Sequence, residues 1–70
     1  MVNKRLIKLR KDLDLSQEEL AEIIGVHQTM ISKWELGLKD PNKAHKIQLA
    51  KFFKVTVEYL FYESYYDTVS

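Results

Sequence analysis

Apolar residues in the first part of the chain recur at helical spacing. Leu6, Leu9 and Leu13 stand at positions i, i+3 and i+7, a pattern that places them on one stripe of an amphipathic helix. Charged and polar residues occupy most of the positions between them. We therefore predict a first helix over residues 3–12.

A capping motif marks the start of a second helix. Ser16 is followed three positions later by Glu19, the spacing at which a serine hydroxyl and a glutamate carboxylate cap a helix N-terminus reciprocally. The predicted helix covers residues 17–24, and its inward residues are Leu20, Ala21 and Ile24. Gly25 is predicted to end it, because glycine adopts the left-handed conformation of a tight helix exit without a steric penalty.

The next helical stretch follows almost at once, since only Val26 and His27 separate it from Gly25. It is predicted over residues 28–36, with Ile31, Trp34 and Met30 on its apolar face and Gly37 after its last residue. Two helices of about two turns, joined by so short a turn, cannot lie antiparallel, which predicts the steep crossing of a helix-turn-helix. The small side chain of Ala21 permits the close approach that this crossing needs.

Two further helices are predicted in the second half. Pro41 and an N-capping Asn42 start a fourth helix that runs to Phe53, with Ile47, Ala50 and Phe53 facing inward. Thr56 is predicted to cap a short fifth helix. Lys54 stands where a helix C-terminus prefers glycine or asparagine, and a left-handed conformation there costs about 1 kcal/mol. The pattern contains no repeat or linker, so we expect one all-α domain.

Composition narrows the class of protein. Charged residues make up 30% of the chain, and no apolar run is long enough to cross a bilayer, so a membrane-embedded protein is not expected. The chain has no cysteine, which excludes a disulfide framework and a thiolate metal site and suits a reducing cytoplasm. We expect a cytoplasmic protein.

The net charge of +1 conceals an uneven distribution. Residues 1–11 carry five basic residues and no acid, whereas residues 12–22 carry five acids and no base. Residues 23–54 carry six lysines against two acids, and residues 55–70 carry three acids. Such blocks can give a nearly neutral molecule a positive face for an anionic partner. Charge alone does not distinguish this from solvated helix surfaces without a partner.

Several of these motifs, in this register, resemble the phage repressor and Cro-type helix-turn-helix family. The matching segments are residues 17–21, 25–26 and 31–35, together with Gly37 and Pro41. The resemblance covers residues 3–61 and implies a compact five-helix, lambda-repressor-like domain that binds DNA, commonly as a dimer, with its third helix in the major groove. On this basis residues 1–61 form the domain, and residues 62–70 form an aromatic C-terminal tail.

The polar residues of the third helix that lie off its apolar face are candidate base contacts. They are Gln28, Thr29, Ser32 and Lys33. Gln28 and Thr29 lie at the N-terminal end, the part of a recognition helix that contacts base edges. A glutamine can form a bidentate pair with adenine, and a threonine methyl can pack on a thymine methyl. Lys33 can contact guanine or a phosphate. The alternative for all four is a solvated helix surface.

Five residues are candidate phosphate contacts: Gln17, His27, Lys39, Lys43 and Arg10. Gln17 lies in the first turn of the second helix, where unsatisfied N–H groups and the helix dipole favour an anion, and the resemblance implies this role. The resemblance also implies it for Lys39 and Lys43. His27 replaces the usual Ser or Thr cap and caps less well, but its protonated form, below about pH 6.5, attracts phosphate. Simple exposure is the alternative for each.

Arg10 and Glu35 place opposite charges on inward helix faces. A buried charge requires a partner, so we predict an ion pair that fastens the first helix to the third, and the resemblance implies the same pairing. A spare N–H group of Arg10 can also reach a phosphate. Trp34 is predicted to be a core residue rather than a stacking platform for bases.

The sequence offers little for catalysis. The two histidines, His27 and His45, lack the spacing of a paired metal-ligand motif. Capping and the helix dipole explain Glu18 and Glu19, and there is no glycine-rich phosphate loop. We therefore expect no enzyme activity, no metal and no cofactor.

Three functions remain open. The leading one is a transcriptional regulator, most naturally a repressor, that binds double-stranded DNA at an inverted-repeat operator as a homodimer with its recognition helices about 34 Å apart. The second is an antitoxin-like interaction module that contacts a protein partner. It is suggested by the tail, whose residues 62–66 include three tyrosines. These tyrosines can cover an exposed edge of the core, form a dimer contact or contact another protein. The third is a nonspecific architectural binder, which Gln28 and Thr29 disfavour because they suit base contacts.

Overall fold

Helices account for most of the chain. The computed structural model describes residues 2–63, and its helices are α1 (Lys4–Asp12), α2 (Gln17–Ile24), α3 (Gln28–Leu36), α4 (Lys43–Phe53) and a short π helix (Glu58–Glu63). No strand occurs within these residues. The predicted all-α fold is therefore confirmed, and its fifth helix has π-type rather than α-type geometry.

Local side chains determine where the helices begin. The side-chain oxygens that cap α1, α2, α4 and the π helix belong to Asn3, Ser16, Asn42 and Thr56, and each accepts from a backbone N–H group at 2.9 to 3.0 Å. The backbone N–H of Ser16 donates to the Glu19 carboxylate at 2.9 Å, which completes the capping box. The backbone and hydroxyl hydrogen bonds from Ser16 lower the pKa of Glu19. The caps predicted at Ser16, Asn42 and Thr56 are confirmed.

Left-handed residues end α2, α3 and α4. Gly25 (φ 86°) follows α2 and Gly37 (φ 74°) follows α3, as the sequence predicted. Lys54 ends α4 with φ 58° and ψ 44°. Because Lys54 has a β-carbon, this left-handed conformation destabilises the fold by about 1 kcal/mol. Asp14, between α1 and α2, is also left-handed at φ 55°.

One cluster of buried side chains joins all five helices. Its members are Leu6, Leu20, Ala21, Ile24, Ile31, Trp34, Leu49, Ala50, Phe53 and Leu60. The prediction that Ile47 faces inward is wrong, because its side chain is 37% exposed and Leu49 is buried instead. At about 100° per residue, Ile47 lies on the far side of α4 from Leu49. Leu13 is also exposed, because it lies at the C-cap of α1, beyond the last helical turn.

The start of α1 holds the π helix and the end of α3 in place. The side-chain amide of Asn3 donates to the Leu60 carbonyl at 2.8 Å, and its backbone N–H donates to the Glu35 carbonyl at 2.7 Å. Arg5 donates to the Tyr59 carbonyl at 3.1 Å, and its guanidinium carbon lies 4.2 Å from the centre of the Tyr59 ring. These contacts join the start of α1 to the end of α3 and to the π helix. Across residues 2–63, no helix combines the length and apolar character that crossing a membrane requires.

Candidate nucleic-acid interface

α3 presents a polar face to solvent. Its buried residues are Ile31, Trp34 and Glu35. The four predicted base-contacting residues lie outside that buried face: Thr29 and Lys33 are exposed, and Gln28 and Ser32 are half-buried. Leu36, which we had not singled out from the sequence, lies near the C-terminal end of the same exposed stripe and is 48% exposed. The fold thus brings the four candidates together on one accessible surface.

Beneath this surface, Arg10 and Glu35 form a buried ion pair. Arg10 Nε donates to Glu35 Oε2 at 2.6 Å, and Arg10 Nη2 donates to Glu35 Oε1 at 3.2 Å. Arg10 Nη1 donates to the Leu15 carbonyl at 2.8 Å. The side chain of Arg10 is only 11% exposed. With three of its donors engaged internally, its position favours the structural role over a phosphate contact.

Two glutamines extend this pair to the surface. Gln17 Nε2 donates to Glu35 Oε1 at 2.9 Å, and Gln28 Nε2 donates to Gln17 Oε1 at 2.7 Å. We predicted a phosphate contact for Gln17 and a base contact for Gln28, but not that they touch. The sequence does contain an indication of this contact. Each glutamine is the first residue of its helix, and a tight turn brings those two helix starts together.

The buried charge determines how both amides point. An ionised carboxylate only accepts hydrogen bonds, so Gln17 must turn its NH₂ group toward Glu35 and its carbonyl toward Gln28. Gln28 must then turn its NH₂ group toward Gln17. One N–H of Gln17 remains for another acceptor, and Gln28 keeps one N–H and its carbonyl oxygen.

His27 caps α3. Its backbone is extended (φ −74°, ψ 147°), and its Nδ1 accepts from the Thr29 backbone N–H at 3.2 Å. The same nitrogen lies 2.8 Å from the Thr29 hydroxyl oxygen. Histidine is expected to cap less well than Ser or Thr; its imidazole nitrogen nevertheless supplies a cap at 3.2 Å, and α3 begins at Gln28 as predicted. The His27 side chain is otherwise exposed.

The basic charge of α1 is largely engaged within the protein. Lys8 pairs with Asp12 at 2.9 Å, and the hydrogen bond that Lys8 donates to the Asp12 carboxylate raises the pKa of Lys8. Arg10 pairs with Glu35, and Arg5 contacts Tyr59. α1 therefore contributes less positive surface than its sequence suggests.

The loop after α3 keeps a positive surface. Lys39 and Lys43 are exposed on either side of Asp40. Asp40 pairs with Lys46 at 2.8 Å, and Lys46 also donates to the Tyr62 hydroxyl at 3.1 Å. The hydrogen bond to Asp40 raises the pKa of Lys46. Because Lys46 neutralises the charge of Asp40, Lys39 in the loop and Lys43 at the start of α4 leave this segment with a net positive charge.

Two other expectations bear on sites outside this surface. In the part of the chain that the structure describes, no three His, Asp or Glu residues are grouped so that they could hold a metal ion. The aromatic tail, for which a dimer contact, a partner contact and a core-covering role are all open, lies outside the described residues from Ser64 onward. Tyr62, its first residue, is exposed.

These helices and this surface define a helix-turn-helix domain. The chain belongs to the helix-turn-helix family, whose model matches residues 6–60. The expected resemblance to phage repressors is confirmed.

The curated relatives include one protein named as an activator and one named as a repressor. The chain is 45% identical over 58 residues to the HTH-type transcriptional activator BcrR of Enterococcus faecalis, covering 83% of this chain and 28% of that protein. It is 30% identical over 60 residues to Repressor protein C2 of Salmonella phage P22, covering 86% and 28% respectively. An uncharacterized HTH-type transcriptional regulator of Bacillus subtilis, YqaE, is 28% identical over 60 residues, 86% of this chain and 52% of that protein. The chain thus spans 28% to 52% of these relatives. No solved structure gives a significant match.

Proposed function

We propose that this chain is a transcriptional regulator that binds double-stranded DNA sequence-specifically, with α3 in the major groove. The observation that carries the proposal is the hydrogen-bonded series from the buried Arg10–Glu35 pair through Gln17 to Gln28. This series orients Gln28 before any ligand arrives. A side chain that is already ordered loses less conformational entropy on binding.

The groups that Gln28 keeps available match adenine. Adenine presents N7 as an acceptor and its N6 amino group as a donor in the major groove. The remaining N–H of Gln28 can donate to N7, while its Oε1 accepts from N6. The bond to Gln17 does not use either of these groups, so both contacts can form at once.

Phosphate contacts would flank the bases on two sides. The remaining N–H of Gln17 lies in the first turn of α2, where the helix dipole favours an anion. On the other side, Lys39 in the loop after α3 and Lys43 at the start of α4 supply positive charge. His27 at the start of α3 is a further candidate. These few contacts predict a modest dependence on salt, with a slope near −0.9 for each phosphate contacted.

Repression by occupancy of the operator is the mode we assign, since it needs no contact beyond DNA. The names of two relatives support regulation in either direction, one as an activator and one as a repressor. A homodimer on an inverted repeat would give each half-site one copy of α3. We assign the protein to the cytoplasm, and we assign it no catalytic activity.

Selection of bound duplexes from a random library tests the proposal. We expect one enriched sequence with two symmetric half-sites, each containing an adenine whose replacement costs about tenfold in affinity. Gln28→Ala is expected to lose preference at that base pair and to keep its salt dependence. The matched control is Gln48→Ala, because Gln48 caps the α2 carbonyl of Ile24 away from the proposed surface and should leave the preference intact.

Three results would contradict the proposal. One is equal affinity for selected and scrambled duplexes at every salt concentration, which would indicate the nonspecific binder. Another is full sequence preference in Gln28→Ala. The third is the absence of any duplex binding, which would favour the protein-interaction module. A transcription assay on a template carrying the selected site tests repression, and the molar mass of the chain with and without residues 62–70 tests a dimer contact in the tail.

A further inference from the structure

His27 and Thr29 form a small unit at the N-terminal end of α3, where the proposed base contacts lie. His27 Nδ1 is 3.2 Å from the backbone nitrogen of Thr29 and 2.8 Å from its hydroxyl oxygen. The backbone N–H can only donate, so Nδ1 is an acceptor and carries no proton. The neutral imidazole of this capped state therefore holds its proton on Nε2.

The tautomer sets the direction of the contact with the Thr29 side chain. Because Nδ1 has no proton, the hydroxyl must donate across the 2.8 Å contact. A hydroxyl has a single proton, so once it is committed to Nδ1 the oxygen offers only acceptor lone pairs to a ligand. In the major groove, the donors available to such an oxygen are the amino groups of adenine and cytosine.

Protonation of His27 reverses this contact. The imidazolium carries an N–H at both nitrogens, so Nδ1 donates to the Thr29 oxygen and no longer accepts from the backbone N–H. The hydroxyl proton is then available to donate to a base. Its acceptors in the major groove are guanine O6 and N7, adenine N7 and thymine O4. One proton added at Nδ1 thus changes which base atoms the Thr29 hydroxyl can pair with.

We propose that His27 is a positioning residue that sets the hydrogen-bonding polarity of Thr29, so that the base preferred by Thr29 changes when His27 gains a proton. The inference rests on the proposed function, whose DNA-contact surface it refines. Within the described residues, the charged groups that line the surface hollow beside His27 are Glu18 and Glu22 of α2, and the hollow is completed by uncharged residues.

The test begins by locating the base pair that Thr29 contacts. An operator is selected from random duplexes with the unaltered chain at about pH 8, where an unperturbed histidine is neutral. Thr29→Val keeps the shape and the methyl group of the side chain but replaces the hydroxyl with a second methyl. The position at which this variant loses preference is the Thr29 base pair, and duplexes are then prepared that differ only there.

Affinities for these duplexes are compared at about pH 8 and about pH 5.5, on either side of the ordinary histidine transition. At the higher pH we expect adenine or cytosine to be preferred over guanine or thymine by about fivefold, as one hydrogen bond allows. At the lower pH that preference is expected to disappear or to reverse. Circular dichroism at both pH values checks that the domain stays folded.

Two variants isolate His27. His27→Asn keeps a cap acceptor but does not titrate, so its base preference is expected to be the same at both pH values. His45→Gln removes the other histidine, which packs against Trp34 with its ring centre 5.3 Å away, and is expected to keep the pH effect. Thr29→Val is expected to have no pH-dependent preference.

Several outcomes would overturn the inference. They are a preference in the unaltered chain that is independent of pH, a pH effect that persists in His27→Asn, or an equal gain in affinity for every duplex in acid. The last would make His27 a phosphate contact only. Failure to select any preferred sequence would overturn the proposed function as well, whereas a selected operator without the pH effect would overturn this inference alone.

Discussion

Removal of the Glu35 side chain tests how the proposed DNA-contact surface is supported. The carboxylate accepts three hydrogen bonds, two from Arg10 at 2.6 and 3.2 Å and one from Gln17 at 2.9 Å. Glu35 is 2% exposed, so water cannot replace it without rearrangement of the core. In Glu35→Ala, the guanidinium of Arg10 would stay largely buried and keep only its bond to the Leu15 carbonyl.

The expected loss of stability is large for so small a domain. Breaking a buried ion pair by removing one partner costs about 3–5 kcal/mol. We expect the lower end, about 3 kcal/mol, because the Leu15 carbonyl still accepts from Arg10 and part of that side chain reaches solvent. For a domain of this size, such a loss lowers Tm by roughly 15 °C, as measured by circular dichroism at neutral pH.

Matched variants separate the ion pair from general damage. Arg10→Met with Glu35→Leu replaces both charges with apolar side chains and should recover much of the lost stability, since no charge is left buried. Lys8→Ala breaks an exposed pair with Asp12 and should change the free energy of unfolding by less than about 1 kcal/mol. The reasoning is refuted if Glu35→Ala loses no more stability than Lys8→Ala, or if the double variant is no more stable than Glu35→Ala.

Two further predictions concern the helix ends. Lys54→Gly should raise the free energy of unfolding by about 1 kcal/mol in urea titrations, because glycine adopts the left-handed C-cap without a Cβ clash; a loss of stability would contradict this explanation. The hydrogen bonds from Ser16 lower the pKa of Glu19. The capping box therefore stabilises the fold at pH values above the usual glutamate pKa. This stabilisation is lost as the pH falls through the lowered pKa of Glu19 in the folded state. Glu19→Gln should therefore show a shallower decline of Tm in acid than the unaltered chain, and an identical decline would argue against the capping contribution.

Much of the fold could be predicted because its signals are local. The Ser16–Glu19 capping box, the Asn42 cap and the glycines at positions 25 and 37 each depend on groups within a few residues of one another. Such short-range chemistry is visible in the order of residues alone. The same holds for the α3 stripe, since the helical period determines which side chains oppose Ile31 and Trp34.

Other features depend on distances that the residue order does not contain. Ile47 and Leu49 are both apolar residues of α4, and only packing against the other helices decided that Leu49 is buried. Likewise, Arg10 and Arg5 of α1 are paired within the protein only because the fold places Glu35 and the π helix beside them.

The residue order alone predicts the helices, the caps at Ser16, Asn42 and Thr56 and the polar residues of α3, because these follow from local hydrogen bonding and helical periodicity. The tertiary structure decided that Gln17, Gln28 and Glu35 form one hydrogen-bonded series and that the amide of Gln28 therefore has one orientation. The physical reason is that a buried carboxylate accepts but cannot donate. The buried carboxylate orients Gln28 at the surface only because the fold brings the starts of α2 and α3 within hydrogen-bonding distance of each other.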